Sequence, residues 1–264
     1  MRGSIRRQQS CPCTQPGGIA ARLELICQQI NGANARILSL RRELDLWDDP
    51  GLPLCERTRA VFARLPALLT AAGCELRRGL PAGVEPAALR DTFGHIAGAE
   101  IGLGMPGWQR HALLALRHLL PPSERLLRAI ASGLRFDMRA YNRALDRRDA
   151  WIRLLESALA DADGLICPVA STVAYPGQAL GMFSKPPTLP VAGQRLRYLE
   201  ATIGLTVPFS LSGSPAVALP AGVEDGLPVG IQLVGRRWDD TRLLGVAARL
   251  EGLLGGFGAP PGLV

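Results

Sequence analysis

The chain has 264 residues, 47% of them hydrophobic, 20% charged and 5% aromatic, which is apolar enough for a sizeable core and excludes a largely disordered polypeptide. Its formal net charge is +7, carried almost entirely by arginine, with Lys185 the one lysine. The arginines are scattered in pairs (Arg41 and Arg42, Arg77 and Arg78, Arg147 and Arg148, Arg236 and Arg237) close to acids, so no basic stripe interleaved with aromatics marks a nucleic-acid partner.

Residues 1–35 mix Gln, Cys, Pro and Gly around one apolar patch, Leu23 to Cys27, and predict no element; such a segment is expected to be mobile. No long polar linker divides the remainder, so residues 36–264 are expected to form one domain. Leu44, Asp45, Leu46 and Trp47 alternate with period two and end at the turn Asp48 to Gly51, which predicts a strand. Val61, Phe62, Leu65, Leu68 and Leu69 recur at helical spacing up to Gly73, a C′ glycine, with Pro66 as an interior obstacle. Cys74 to Arg78 predicts a second short strand. A helical stretch follows from Glu85 to Leu120, broken near Gly104 to Gly107, and Ser123 is expected to cap the helix after it. The clearest helix runs from Asp137 to Leu159. Met138, Tyr141, Leu145, Ile152, Leu155 and Leu159 share one face of it, and Asp137 can cap it.

Gly164 to Val169 has the signature of a short buried strand. Residues 170–194, rich in Pro, Gly, Ser and Thr, read as a long loop, and long loops inside domains are often functional. Ala216 to Pro220 reads as a strand bounded by Pro215 and Pro220. Val229 to Gly235 reads as another, bracketed by Gly226 and Gly235 at turn positions open to positive φ. A helix from Asp240 to Leu254, capped by Asp239, closes the pattern. Strands alternating with helices predict an α/β fold with a mixed sheet covered by helices.

The six cysteines (Cys11, Cys13, Cys27, Cys55, Cys74, Cys167) form no CxxC pair, and Cys11 and Cys13 have no second pair or nearby His to complete a zinc site. Cys74 and Cys167 lie in apolar runs and read as core residues, and free thiols fit a reducing cytoplasm. The basic N-terminus is not followed by an apolar stretch, so it is not a signal peptide. No apolar run approaches the roughly 18 residues of a membrane span, and no membrane partner is expected.

Three C-terminal pieces, in order, resemble segments of the amidase-signature family. Asp163 to Ala170 resembles its D-hydrophobic-hydrophobic-x-P strand. Leu211 to Gly222 resembles its L-T-G-x-P-A-x-x-x-P-x-G segment, with Ser210 where members often carry Asn and Ser214 where Leu is frequent. Gly226 to Gly235, followed by Trp238, Asp239, Asp240 and the Leu243–Leu244 helix, is similar to its C-terminal run. Upstream, the stretch from Leu44 through Arg59 and Gly73 to Leu76 fits the family's strand-helix-strand segment, so the resemblance spans residues 40–254.

The resemblance implies an amidase-signature-like α/β fold, here incomplete, and a bacterial-type enzyme that hydrolyses small-molecule carboxamides through an acyl-enzyme, with neither metal nor organic cofactor. In the family a lysine activates a serine on a cis peptide bond, which activates a second, nucleophilic serine. Glycine-rich backbone there holds the oxyanion. This sequence has no Gly-Gly-Ser-Ser-Gly-Gly segment, and Lys185, between Ser184 and Pro186, reads as a solvated loop charge. Gly3, Ser4, Ile5 and Arg6 match the tail of the family's Gly-Gly-Ser-Ile-Arg motif, which makes Ser4 the candidate nucleophile. Arg2 to Ile5 also aligns with a later R-G-x-I-P segment, beyond the nucleophile. The family's pocket draws on the loop after the Cys167–Pro168 strand, so Thr172, Tyr175 and Phe183 are candidate substrate-lining residues.

His95, His111 and His118 fall in helical stretches without metal-binding spacing, and Gly213, Ser214 and Pro215 do not make a G-x-S-x-G elbow. The expected protein is therefore a truncated amidase without autonomous activity. The alternatives are a non-catalytic remnant or interaction module, or one part of a split amidase whose partner chain supplies the N-terminal half. Without that half, open strand edges predict a poor solo folder.

Overall fold

The structure is a computed structural model and describes residues 39–42, 52–78, 84–135, 137–177, 187–256 and 258. The expectations for residues 1–35, and for a strand at Leu44 to Trp47, lie outside these residues. Among the described residues, the strand that precedes the first helix is β1 (Ser39–Arg42).

Helix α1 (Glu56–Ala71) buries Val61, Phe62, Leu65 and Leu69 and continues through Pro66. Burying four such side chains, at roughly 1.5–3 kcal/mol each, outweighs the roughly 3 kcal/mol that an interior proline costs. The helix stops at Gly73, where φ is +82°. The Gly73 N–H donates to the Thr70 carbonyl and the Cys74 N–H to that of Leu69, a Schellman turn that satisfies the helix end. β2 (Glu75–Arg78) follows, as its sequence predicts.

The next helical stretch divides where glycine and proline predict. α2 (Pro86–Leu103) is followed by α3 (Gly107–Leu116) and a 3-10 turn (Arg117–Leu119). α4 (Arg125–Gly133) packs on α2 with almost no side chain between them. A β-carbon at Gly98 would run into the Ile130 carbonyl oxygen, and one at Gly133 into that of His95. Glu124, not Ser123, holds the cap position of α4. The Ser123 hydroxyl instead accepts from Arg197 Nε at 3.0 Å, and Glu200, from a distant helix, accepts the Leu126 N–H at 2.8 Å. An acid can cap a helix from another element because the free N–H groups point outward along the axis.

α5 (Met138–Ala158) is capped by Asp137, whose carboxylate accepts from the N–H groups of Arg139 and Ala140 at 3.0 and 3.1 Å. Its buried residues are Ala144, Trp151 and Leu155, with Leu159 just beyond, whereas Met138 is 66% exposed. The inward stripe thus begins later than the periodicity predicts, and Trp151 anchors it by donating to the Pro208 carbonyl at 2.6 Å.

Among the described residues five strands form one mixed sheet in the order β2-β1-β3-β7-β6, the α/β arrangement expected of the sequence. β3 (Gly164–Pro168) runs parallel to β1 and antiparallel to β7 (Leu227–Val234), and all five of its residues are buried. β6 (Ala216–Glu224) pairs with β7 at the edge. It does not end at Pro220. The register shifts by one residue between Pro220 and Gly222, and this bulge on an edge strand accommodates the proline. Asp225 (φ +50°) and Gly226 (φ +76°) turn β6 into β7, both central residues in the left-handed region that a tight hairpin requires. Gly235 is no turn glycine. A β-carbon there would approach the Leu243 side chain to 3.0 Å, so the position serves close packing of the last helix. That helix, α8 (Asp240–Leu254), has Asp239 at its cap position but no side-chain capping bond.

Residues 170–194 are not all loop. β4 (Thr188–Val191) and β5 (Gln194–Arg197) form an antiparallel hairpin joined by Ala192 (φ +48°) and Gly193 (φ +77°). It leads into α6 (Tyr198–Ile203) and α7 (Val207–Ser212). The main core joins Phe62 and Leu65 of α1, Trp151 and Leu155 of α5, Leu165 of β3, Ile231 and Leu233 of β7, and Leu250 of α8. Cys74 and Cys167 are buried in it, as their apolar settings predict.

Candidate functional site

The C-terminal end of β3 is the origin of the site. Gln232, buried on β7, donates from Nε2 to the carbonyls of Pro168 at 2.9 Å and Leu205 at 3.2 Å, tying the strand end to the link between α6 and α7. The following loop is fixed by backbone bonds on both sides. The Ser171 N–H donates to the Ala201 carbonyl at 2.9 Å, and the Cys55 N–H donates to the Ser171 carbonyl at 2.8 Å. Val173 then buries itself with Val61 and Val229 in a small cluster. With Val173 turned inward, Thr172 and Tyr175 are left to line an open cleft.

This cleft has a volume of about 880 Å³. One wall is the start of α1, with Cys55, Glu56 and Arg57. The opposite wall is the β4–β5 hairpin, and the rim is the β6–β7 turn with Glu224 and Asp225. The hairpin stands on its own small core of Leu189, Val191, Leu196 and Ala201, against which Cys55, Tyr175 and Tyr198 pack. The Tyr175 and Tyr198 rings meet edge to face, 5.9 Å apart and at 89°, and the Tyr175 hydroxyl donates to that of Tyr198 at 3.3 Å. The shared hydrogen bond to Tyr198, and then burial, push the Tyr175 hydroxyl up to about 12, so it remains neutral across ordinary pH. At the rim Arg57 pairs with Asp225 at 2.9 Å and Arg64 with Glu224.

Of the sequence-derived candidates, the structure brings Thr172 and Tyr175 to one cleft. Ser4, Phe183 and Lys185 lie outside the described residues. Sequence reasoning missed Tyr198, the α1 start and the hairpin. The alternation of Leu189 and Val191 before Ala192 and Gly193 was the signal for the hairpin. Chemically, the cleft offers hydroxyls, a thiol and paired charges. Among its described lining residues there is no lysine or histidine to act as a base. Among the described residues no cluster of His, Cys, Asp or Glu suits a metal ion, and no helix is long and apolar enough to cross a membrane. His95 lies away from the cleft on α2. Burial, then the Arg147 charge, lower its pKa.

The architecture is that of an α/β domain with a cleft at the end of a central strand. The family model Amidase matches residues 118–244, so over that span the chain is similar to the amidase-signature family. It is similar to the A subunit of glutamyl-tRNA(Gln) amidotransferase from Exiguobacterium sibiricum, 33% identical over 120 residues, 46% of this chain and 22% of the relative. The counterpart of that relative in Hahella chejuensis is 40% identical over 95 residues, 36% of this chain and 17% of the relative. Among solved structures, an amidase crystal structure aligns with TM-score 0.60 and 28% identity, over 83% of this chain and 46% of its own. The A subunit of glutamyl-tRNA(Gln) amidotransferase from Thermotoga maritima shares the fold at TM-score 0.57 and 20% identity, over 81% of this chain and 42% of its own. The chain thus spans about a fifth of those curated relatives and less than half of those solved structures.

Proposed function

We propose that the chain is the substrate-side part of a carboxamide hydrolase and that the 264 residues alone do not turn over amides. The observation that carries this reading is the cleft at the end of β3, lined by Thr172 and Tyr175, in a chain that matches the amidase family over residues 118–244. In this reading Thr172, Tyr175 and Phe183 contact a small-molecule amide. The neutral Tyr175 hydroxyl supplies a hydrogen bond without introducing charge. The general base and nucleophile come from elsewhere, because the only lysine is Lys185 and no Gly-Gly-Ser-Ser-Gly-Gly segment is present. A partner polypeptide bearing a lysine and two serines would complete a Ser-Ser-Lys acyl-transfer site. Ser4 enters as nucleophile only if the Gly3 to Arg6 alignment is the correct one. The chemistry needs no metal and no organic cofactor, and the free thiols of Cys55 and Cys74 suit the cytoplasm.

The reading is tested by mixing the chain with the N-terminal part of an amidase-signature enzyme and following hydrolysis of an aryl amide. Activity should appear only in the mixture, and Tyr175→Phe should raise KM more than it lowers kcat. A mixture that forms a complex yet never turns over amides would favour the runner-up, a non-catalytic interaction module.

A further inference from the structure

A second cavity opens between α5 and the turn after α7, and it shares no lining residue with the cleft. Its volume is about 520 Å³, and its walls include Arg148, Asp149 and Arg153 of α5, Ser212 and Gly213 at the end of α7, and Arg237 beyond β7. The charges on these walls do not balance. Arg148 is paired with Asp149, donating from Nε at 3.0 Å and Nη2 at 2.8 Å to one carboxylate oxygen. No carboxylate among the described residues pairs with the guanidinium of Arg153 or of Arg237. The nearby Glu156 is occupied, accepting from Arg236 Nε and from the Arg237 backbone N–H.

Arg237 is partly buried at the cavity wall. Its backbone is fixed by that 2.9 Å bond to Glu156, and its guanidinium lies 5.5 Å from the centre of the Trp238 ring. Yet its Nε is buried and donates to nothing. The position is next to the end of α7, where a β-carbon on Gly213 would stand 4.0 Å from that nitrogen. The Ser212 hydroxyl is already engaged with the Phe209 carbonyl and Ser214. A guanidinium fork is built to take a planar carboxylate or a phosphate through two parallel hydrogen bonds.

We propose that this cavity binds an oxyanion, a carboxylate or a phosphate monoester, held between the guanidinium groups of Arg153 and Arg237. Two uncompensated positive charges set the sign of the ligand, and the volume admits a small one.

The test is calorimetric titration of the full chain with inorganic phosphate in one arm and acetate in the other. Saturable binding of at least one is expected, weakened at least about tenfold in Arg237→Gln and in Arg153→Gln, in line with the loss of a charge-assisted hydrogen bond. Arg139→Gln, on α5 but outside the cavity, should bind as the parent does. Phosphate binding alone would identify a phosphate monoester site, and acetate binding alone a carboxylate site. Arg153 is exposed and carries no ion pair among the described residues, so its variant keeps the test valid even if Arg237→Gln fails to fold. Absence of saturable binding in both arms, binding unchanged in either cavity variant, or equal weakening in Arg139→Gln would overturn the proposal.

Discussion

The β3–β7 strand pair and the cleft wall beside it are held by different forces. Leu165, Ile166, Ile231, Leu233 and Val234 are almost wholly buried, and the strands add an antiparallel ladder to that burial. The wall, made of the loop after β3 with the β4–β5 hairpin and α6, has two small apolar clusters, around Leu189 and around Val173, and is secured by polar ties as well. These are the Tyr175–Tyr198 hydroxyl pair, the Arg197–Glu124 ion pair at 3.2 Å, and Glu200 capping α4. Apolar burial tolerates little change of shape, whereas polar ties can be rearranged one at a time. A scaffold of the first kind can therefore carry a cleft of the second kind whose lining is free to change with the ligand.

The contrast can be broken or sharpened by substitution. The largest loss is expected from Ile231→Ala, which empties a fully buried site between β3 and β6. It should destabilise the fold by about 4 kcal/mol, read as a lowered urea midpoint with unchanged slope. Next comes Gln232→Ala, which leaves the buried Pro168 and Leu205 carbonyls without their donor. Its cost should be about 3 kcal/mol, and hydrogen exchange should quicken at Ser171 and Thr172 before it does in β3. Equal quickening in both would mean that loop and strand are one cooperative unit.

A smaller effect, dependent on pH, is expected at Glu124. Burial, and then the neighbouring Glu200 carboxylate, raise its pKa above the ordinary carboxylate value, with Arg197 opposing. The folded state keeps this proton after the unfolded chain has released it. Stability therefore falls as pH rises from the unfolded value to the raised folded value and is level beyond it. Glu124→Gln should remove that decline, so the variant gains on the parent as pH rises through this window. Denaturant midpoints across the acidic range would show it, and parallel curves would refute it. The smallest effect belongs to Tyr175→Phe, which removes one 3.3 Å hydroxyl contact and should cost under about 1 kcal/mol of stability. A larger loss would mean that the wall depends on this pair far more than its geometry suggests.

The scaffold was legible in the sequence because it obeys rules that act along the chain. The Leu165 to Val169 run is apolar because β3 has strands on both sides, and Gly73 ends α1 because only a left-handed residue closes that turn. Asp137 caps α5 with the residue type and spacing that capping requires. The parts that were not legible depend on distant partners. Ser123 resembles a cap, but Arg197 takes its hydroxyl and Glu200 reaches the helix instead. Pro220 resembles a strand end, but the bulge before Gly222 absorbs it. The hairpin at 188–197 was hidden by loop-like composition, and Ala192 occupies a positive-φ position usually given to Asn or Gly. Of the candidate site, Thr172 and Tyr175 were reached through family resemblance, and Tyr198 opposite them only through the fold.

The central claim is that the cleft binds an amide but that the chain by itself lacks the groups to cleave it. It is tested most directly by incubating the purified 264-residue chain with an aryl amide and measuring amine release. The account predicts no release above the uncatalysed rate, in the parent and in Ser4→Ala alike. Turnover by the chain alone, abolished in Ser4→Ala, would contradict it and make Ser4 the nucleophile of a self-sufficient enzyme.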